Sequence, residues 1–115
     1  MLDVKMSIDN LLTTVNRHFA HIKNQHEFIR AWAIQFELAY TDFRVIQIAL
    51  QLSGESNHAL LAEFSAAYED VYKYESAFAA GGLDGFNKEF ADSIDDYEQT
   101  KDKLVDVIEE IKKVK

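Results

Sequence analysis

Histidines with nearby carboxylates are the residues of this chain whose types and spacing could bind a metal. His18 and His21 lie three residues apart, and Glu55-Ser56-Asn57-His58 has the Glu-x-x-His spacing of carboxylate-bridged di-iron bundles. Such a bundle needs two of these motifs and two further glutamates, whereas this chain has one motif, beside a glycine turn. We therefore expect no metal and no other cofactor. A metal-binding helical bundle that uses His18, His21 or His58 is kept as an alternative.

Acidic residues near the end of the chain form a second group. Five of them are predicted to share or border one face of the last helix: Glu89, Asp92, Asp95, Asp96 and Asp102. Such a face is either solvated or a contact surface that attracts a basic protein. Tyr74 is predicted to project away from the core, and tyrosine is favoured at interfaces, so we add it to the candidate partner-binding residues.

Catalytic groupings have no support in the sequence. The chain has no cysteine, and no serine, histidine and acid grouping has the context of an activated nucleophile. Gly81-Gly82-x-x-Gly85 follows a predicted helix instead of a strand, and Asp84 within it would repel a phosphate. We interpret this segment as a turn and expect the protein not to be an enzyme.

Charge and hydropathy exclude two further classes of partner. The net charge is -8, and the whole excess lies after residue 54, where the only basic cluster is Lys112, Lys113 and Lys115. Nucleic-acid binding needs a basic stripe that meets phosphates, so we expect none. The first residues lack the pattern of a signal peptide, and no apolar run approaches the ~20 residues of a membrane span. We expect a soluble, cytoplasmic protein.

Long helices are the elements that must position these groups. The chain has no proline, and its four glycines occur only at Gly54 and at Gly81, Gly82 and Gly85. An apolar residue recurs at every seventh position, namely at Ile8, Val15, Ile22, Ile29, Phe36, Phe43 and Leu50. This period predicts amphipathic helices that bury a common seam.

The predicted fold is all-α, a single domain spanning residues 1–115 as an up-down bundle of four helices. Their ranges are about 7–23, 26–52, 57–80 and 86–114, with Ser7 and either Ser56 or Asn57 as caps. The break near Asn24 rests on Asn24 and Glu27, which have the spacing of a capping box. The alternative is three helices with a very long first one. That helix would extend ~70 Å, which implies a homodimer.

Residues 28–50 are the most apolar part of the chain and leave only a narrow polar stripe, which includes Glu37, Thr41 and Arg44. A helix of this kind is either central in its bundle or covered by another chain. The sequence thus predicts a small non-enzymatic protein-binding module, such as an adaptor, inhibitor or immunity-type protein. It would act through the acidic last helix, through an apolar helix face, or through both. A structural homo-oligomer is a further alternative.

Overall fold

The protein is all-α, as the periodicity predicts. The computed structural model describes the backbone of residues 1–27 and 30–115 and the side chains of residues 1–27 and 34–115. Helix α1 spans Lys5–Lys23, α2 spans Arg30–Leu52, α3 spans His58–Phe90 and α4 spans Ile94–Ile111. Short 3₁₀ turns, Glu55–Asn57 and Ala91–Ser93, precede α3 and α4. The described residues include no strand.

The four helices pack around one core. Helices α1 and α3 each contact α2 and α4 and also meet each other, whereas α2 and α4 do not touch within the described residues. The chain ends meet at one end of the bundle, where the Met1 ammonium donates to the Lys115 carbonyl at 2.6 Å. The molecule measures 43 × 25 × 17 Å, too short for the ~70 Å helix of the three-helix alternative.

The break near Asn24 is confirmed, but its cause differs from the predicted capping box. Asn24 caps the C-terminus of α1, and Gln25 takes a left-handed conformation with φ 57°. The Gln25 amide donates to the Ile22 carbonyl at 3.0 Å, and the His26 amide donates to the His21 carbonyl at 2.9 Å. These two bonds form a Schellman motif, which normally places glycine where Gln25 stands. The two residues before Arg30 lie outside the described part of the chain.

The turn at Gly54 is also confirmed. Helix α2 ends at Leu52, and Gly54 has φ 117° and ψ 164°, a region that is open almost only to glycine. Of the predicted caps, Ser7 is wrong, because it lies inside α1 and its hydroxyl contacts Asp42 of α2. Asn57 does occupy the N-cap position of α3, but its side chain donates to the Ser53 hydroxyl at 2.9 Å and not to the helix.

The second glycine segment separates two helical pieces, as predicted, although both belong to the range of α3. Only Gly82 leaves the helical region, with φ 65° and ψ -160°, and the second piece continues to Phe90. A Cβ on Gly85 would lie 3.6 Å from the Ala77 carbonyl oxygen, so the segment after the kink lies close to the helix before it. The predicted helix 86–114 is therefore divided between the end of α3, the turn Ala91–Ser93 and α4.

The predicted heptad seam forms the core. Its described members Ile8, Val15, Ile22, Phe36, Phe43 and Leu50 are all buried, and Ile29 lies outside the described residues. An aromatic cluster fills the end of the bundle near the kink, where Tyr97 stacks on Tyr74 at a ring separation of 4.6 Å. Phe19 meets the same Tyr97 ring edge-on at 4.9 Å. These rings join α1, α3 and α4.

Candidate protein-binding surfaces

Helix α2 exposes a line of large apolar side chains along its outer face. We call this line, together with Thr41 within it, the α2 stripe. The apolar members are 39% to 70% exposed: Ile34, Leu38, Val45, Ile48 and Leu52. Single exposed apolar residues are ordinary on a protein surface, but a contiguous line of five on one helix is typical of an interaction surface.

The α2 stripe has the spacing of a coiled-coil seam. From Ile34 to Leu52, the intervals through Leu38, Thr41, Val45 and Ile48 alternate between four and three residues. The buried residues of α2 follow the same alternation on the inner side: Phe36, Ala39, Phe43, Ile46 and Leu50. Helix α2 therefore has two apolar faces, of which the bundle covers one. The described part of α2 is not central in the bundle.

Two shallow grooves border the stripe. One, of about 390 Å³, lies towards α3 and is lined by Phe36, Glu37, Tyr40, Thr41 and Tyr72. The other, of about 330 Å³, lies towards α1 and is lined largely by polar residues, including Asn10, Thr13 and Arg17. Burial raises the pKa of Asp42 in this second groove, and the contact with Ser7 opposes that rise. The stripe is thus a ridge with aromatic side chains along one border and polar side chains along the other.

Tyr74 does not lie at the surface. It is 5% exposed and stacks on Tyr97, so the prediction that it projects towards a partner is wrong. The exposed tyrosine of α3 beside the α2 stripe is Tyr72, at 45%. Helix α3 packs against both α2 and α4, so it carries two buried lines of residues, and Tyr74 belongs to the one that faces α4.

The predicted acidic residues do not lie on one helix. Glu89 belongs to the end of α3 and Asp92 to the 3₁₀ turn, whereas Asp95 and Asp96 occupy the first turn of α4. All four are exposed, and none forms an ion pair with another described residue. Asp102 lies further along α4, where it pairs with Lys101 at 2.8 Å. We call the four residues Glu89, Asp92, Asp95 and Asp96 the acidic junction.

A buried histidine–glutamate pair connects α1 to α3. His18 Nδ1 lies 3.4 Å from Glu75 Oε1, and each side chain is 2% exposed. The geometry gives neither of these atoms a hydrogen bond within the described part of the chain. Burial raises the pKa of Glu75, and the neighbouring His18 opposes that rise. Sequence reasoning missed Glu75, although it occupies a core position in the spacing Phe64, Tyr68, Val71, Glu75, Phe78.

The remaining histidines do not converge on His18. Nδ1 of His21 lies 2.9 Å from Nδ1 of His26, and burial, followed by the charge of His26, lowers the pKa of His21. His58 is exposed at the start of α3, beyond the Gly54 turn. Across residues 1–27 and 34–115, no group of three or more histidines and carboxylates is close enough to hold a metal ion.

Comparison of the chain with protein-family models, with curated proteins and with solved structures gave no match. Among the described helices, none combines the length and the apolar character needed to cross a bilayer. The surfaces themselves are therefore the basis for proposing a function.

Proposed function

We propose that this protein is a non-enzymatic protein-binding module whose contact surface is the α2 stripe. The observation that carries the proposal is the exposure of five large apolar side chains in one heptad line. Folding leaves this line in water although the opposite face of the same helix is fully packed. The chain contains no cysteine, which is compatible with the cytoplasmic setting that we include in the proposal.

The free energy available from covering the stripe is appreciable. Complete burial of a leucine or isoleucine side chain contributes about 1.5–3 kcal/mol, and these side chains are roughly half exposed. Five of them therefore offer about 5 kcal/mol. Association costs about 4–15 kcal/mol in lost freedom, so a partner must add apolar surface of its own. An amphipathic helix that lies along the stripe meets this requirement.

The acidic junction contributes to the same proposal by attracting a basic partner. Glu89, Asp92, Asp95 and Asp96 are exposed and unpaired among the described residues, and complementary charge mainly increases the rate of encounter. It lies on α3 and α4, away from the outer face of α2. We therefore assign it a steering role and assign the binding free energy to the stripe.

The test compares two double variants as immobilised bait in lysate of the source cells. Leu38→Gln with Val45→Gln removes apolar surface from the stripe without opening the core, since both side chains are exposed. Asp92→Asn with Asp96→Asn is the matched control on the acidic junction. We expect the stripe variant to lose the captured protein. The acidic variant should retain it, with slower and less salt-dependent association. Undiminished capture by the stripe variant would contradict the proposal.

A further inference from the structure

The α2 stripe has the features of an interface between two copies of this chain. A two-fold interface uses the same patch on both partners, so each copy would cover the other's stripe. The line from Ile34 to Leu52 is ~27 Å long at 1.5 Å per residue, enough for a partner helix to pack along it over at least three turns. This inference rests on the proposed function, because it names the partner of the same surface.

Thr41 is the one polar member of the stripe, and its geometry suits burial. The Thr41 hydroxyl donates to the Glu37 carbonyl of its own helix at 3.1 Å. Its hydrogen-bonding group is therefore satisfied before any partner arrives, and covering it leaves no unpaired donor. A partner helix can thus lie across Thr41 without the desolvation cost of an orphaned hydroxyl.

The charges beside the stripe favour one orientation of the two helices. Glu37 and Arg44 flank it on one side, seven residues apart, and Asp42 flanks it on the other. In a parallel pair, opposite sides meet, which brings Glu37 towards the partner's Asp42, of like charge. In an antiparallel pair, the side that carries Glu37 and Arg44 meets the same side of the partner. A two-fold axis that passes midway between Glu37 and Arg44 then brings each Glu37 to the partner's Arg44.

We propose that the protein forms a homodimer through the α2 stripe, with the two α2 helices antiparallel and Glu37 paired with the partner's Arg44. In this register Leu38 faces the partner's Thr41, and Ile34 faces the partner's Val45. The stripe positions from Ile34 to Val45 thus meet their counterparts, and Ile48 and Leu52 lie beyond this overlap. The antiparallel orientation joins these apolar contacts to two oppositely charged pairs, whereas the parallel one opposes Glu37 and Asp42.

The first test measures mass by sedimentation equilibrium and light scattering, up to several hundred micromolar. We expect a dimer for the wild type and a monomer for Leu38→Gln with Val45→Gln, with unchanged helical circular dichroism. Thr41→Val adds apolar surface at the centre and should tighten the dimer several-fold. A monomeric wild type, or a dimer that survives in the Leu38 and Val45 variant, would overturn the inference.

The second test examines the orientation by exchanging the charges. Glu37→Arg places arginine against the partner's Arg44, and Arg44→Glu places glutamate against the partner's Glu37. Each change should weaken the dimer about tenfold at low salt, and the double exchange should restore it. Glu63→Arg, on the exposed side of α3, is a control with the same change in net charge. Failure of the double exchange to restore association would overturn the antiparallel pairing.

The two proposals fail in different ways. If the wild type is monomeric but the stripe variant still loses a protein captured from lysate, the stripe binds a different chain and the homodimer alone is wrong. If the wild type is dimeric and the stripe variant is equally dimeric, neither the stripe nor the proposed interface is supported. The oligomeric state and the capture experiment must therefore use the same variants.

Discussion

Replacing Glu75 with glutamine should stabilise the protein at neutral and alkaline pH. Glu75 is 2% exposed, lies 3.4 Å from His18, and has an Oε1 without a hydrogen bond among the described residues. Burial raises its pKa above the unfolded value of about 4.3. The contribution of this carboxyl to folding stability is therefore fully present below the unfolded pKa, and it is lost as the pH rises through the folded pKa. At higher pH the folded protein therefore contains a buried, weakly compensated charge.

The magnitude follows from removing that charge while keeping the shape of the side chain. Burying a charge that is only partly compensated costs free energy, and a neutral side chain of the same shape avoids that cost. Because His18 offsets part of the burial penalty of Glu75, we expect a modest gain of about 1–2 kcal/mol at pH 8. For a chain of this size that raises Tm by roughly 5 °C. At pH 4, below the unfolded pKa of about 4.3, Glu75 is largely protonated in the folded and the unfolded chain, and most of the difference should disappear.

The assay is thermal unfolding followed by circular dichroism at pH 4, 6 and 8. Glu69→Gln is the matched control, because Glu69 lies on the same helix but is exposed. We expect it to change Tm by less than about 1 °C throughout, as surface substitutions usually do. Two results would refute the reasoning: a loss of stability for Glu75→Gln at pH 8, or an equal gain at pH 4 and pH 8.

Three substitutions test other features of the fold, each by urea unfolding. Gly54→Ala should cost about 1–3 kcal/mol, because φ 117° is strained for alanine although no atom lies within 4 Å of the added Cβ. Gly81→Ala should instead add up to about 1 kcal/mol, since that helical position is equally open; effects of the same sign would contradict this account. Tyr97→Phe should leave stability within about 1 kcal/mol of the wild type or raise it, because the buried Tyr97 hydroxyl has no hydrogen-bond partner among the described residues. A larger loss would show that the hydroxyl is bonded.

The fold is predictable from the sequence in those segments where one period of apolar residues dominates. The seventh-residue line from Ile8 to Leu50 specified which faces of α1 and α2 meet, and Gly54 specified where α2 ends. The connection at Gln25 was located but not explained, because a left-handed glutamine has no compositional signal. The three glycines also located the break within α3, although the backbone needs the freedom of only one of them, Gly82.

The candidate site was harder to predict because it depends on how many neighbours a helix has. Periodicity shows that α2 is apolar over more of its surface than one neighbouring face can cover, but it does not show which face the bundle leaves exposed. In α3 the same ambiguity led to the wrong orientation for Tyr74, since a helix between two neighbours buries two lines of residues. Glu75 was missed because a polar residue within an apolar period is ordinarily interpreted as surface.

The arrangement of the helices also explains why the charge of the chain is so uneven. Helix α2 lies diagonally opposite α4, with no contact between them in the described residues. The neutral part of the chain before Gly54 carries the stripe, whereas the acidic excess lies on the elements after it. Charges separated by more than about 8 Å are largely screened at physiological salt, and the bundle is 17 Å across even at its narrowest. Two copies can therefore bring their stripes together without bringing their acidic helices within repulsive range. The same acidic helices would repel a second copy of the chain that approached them directly.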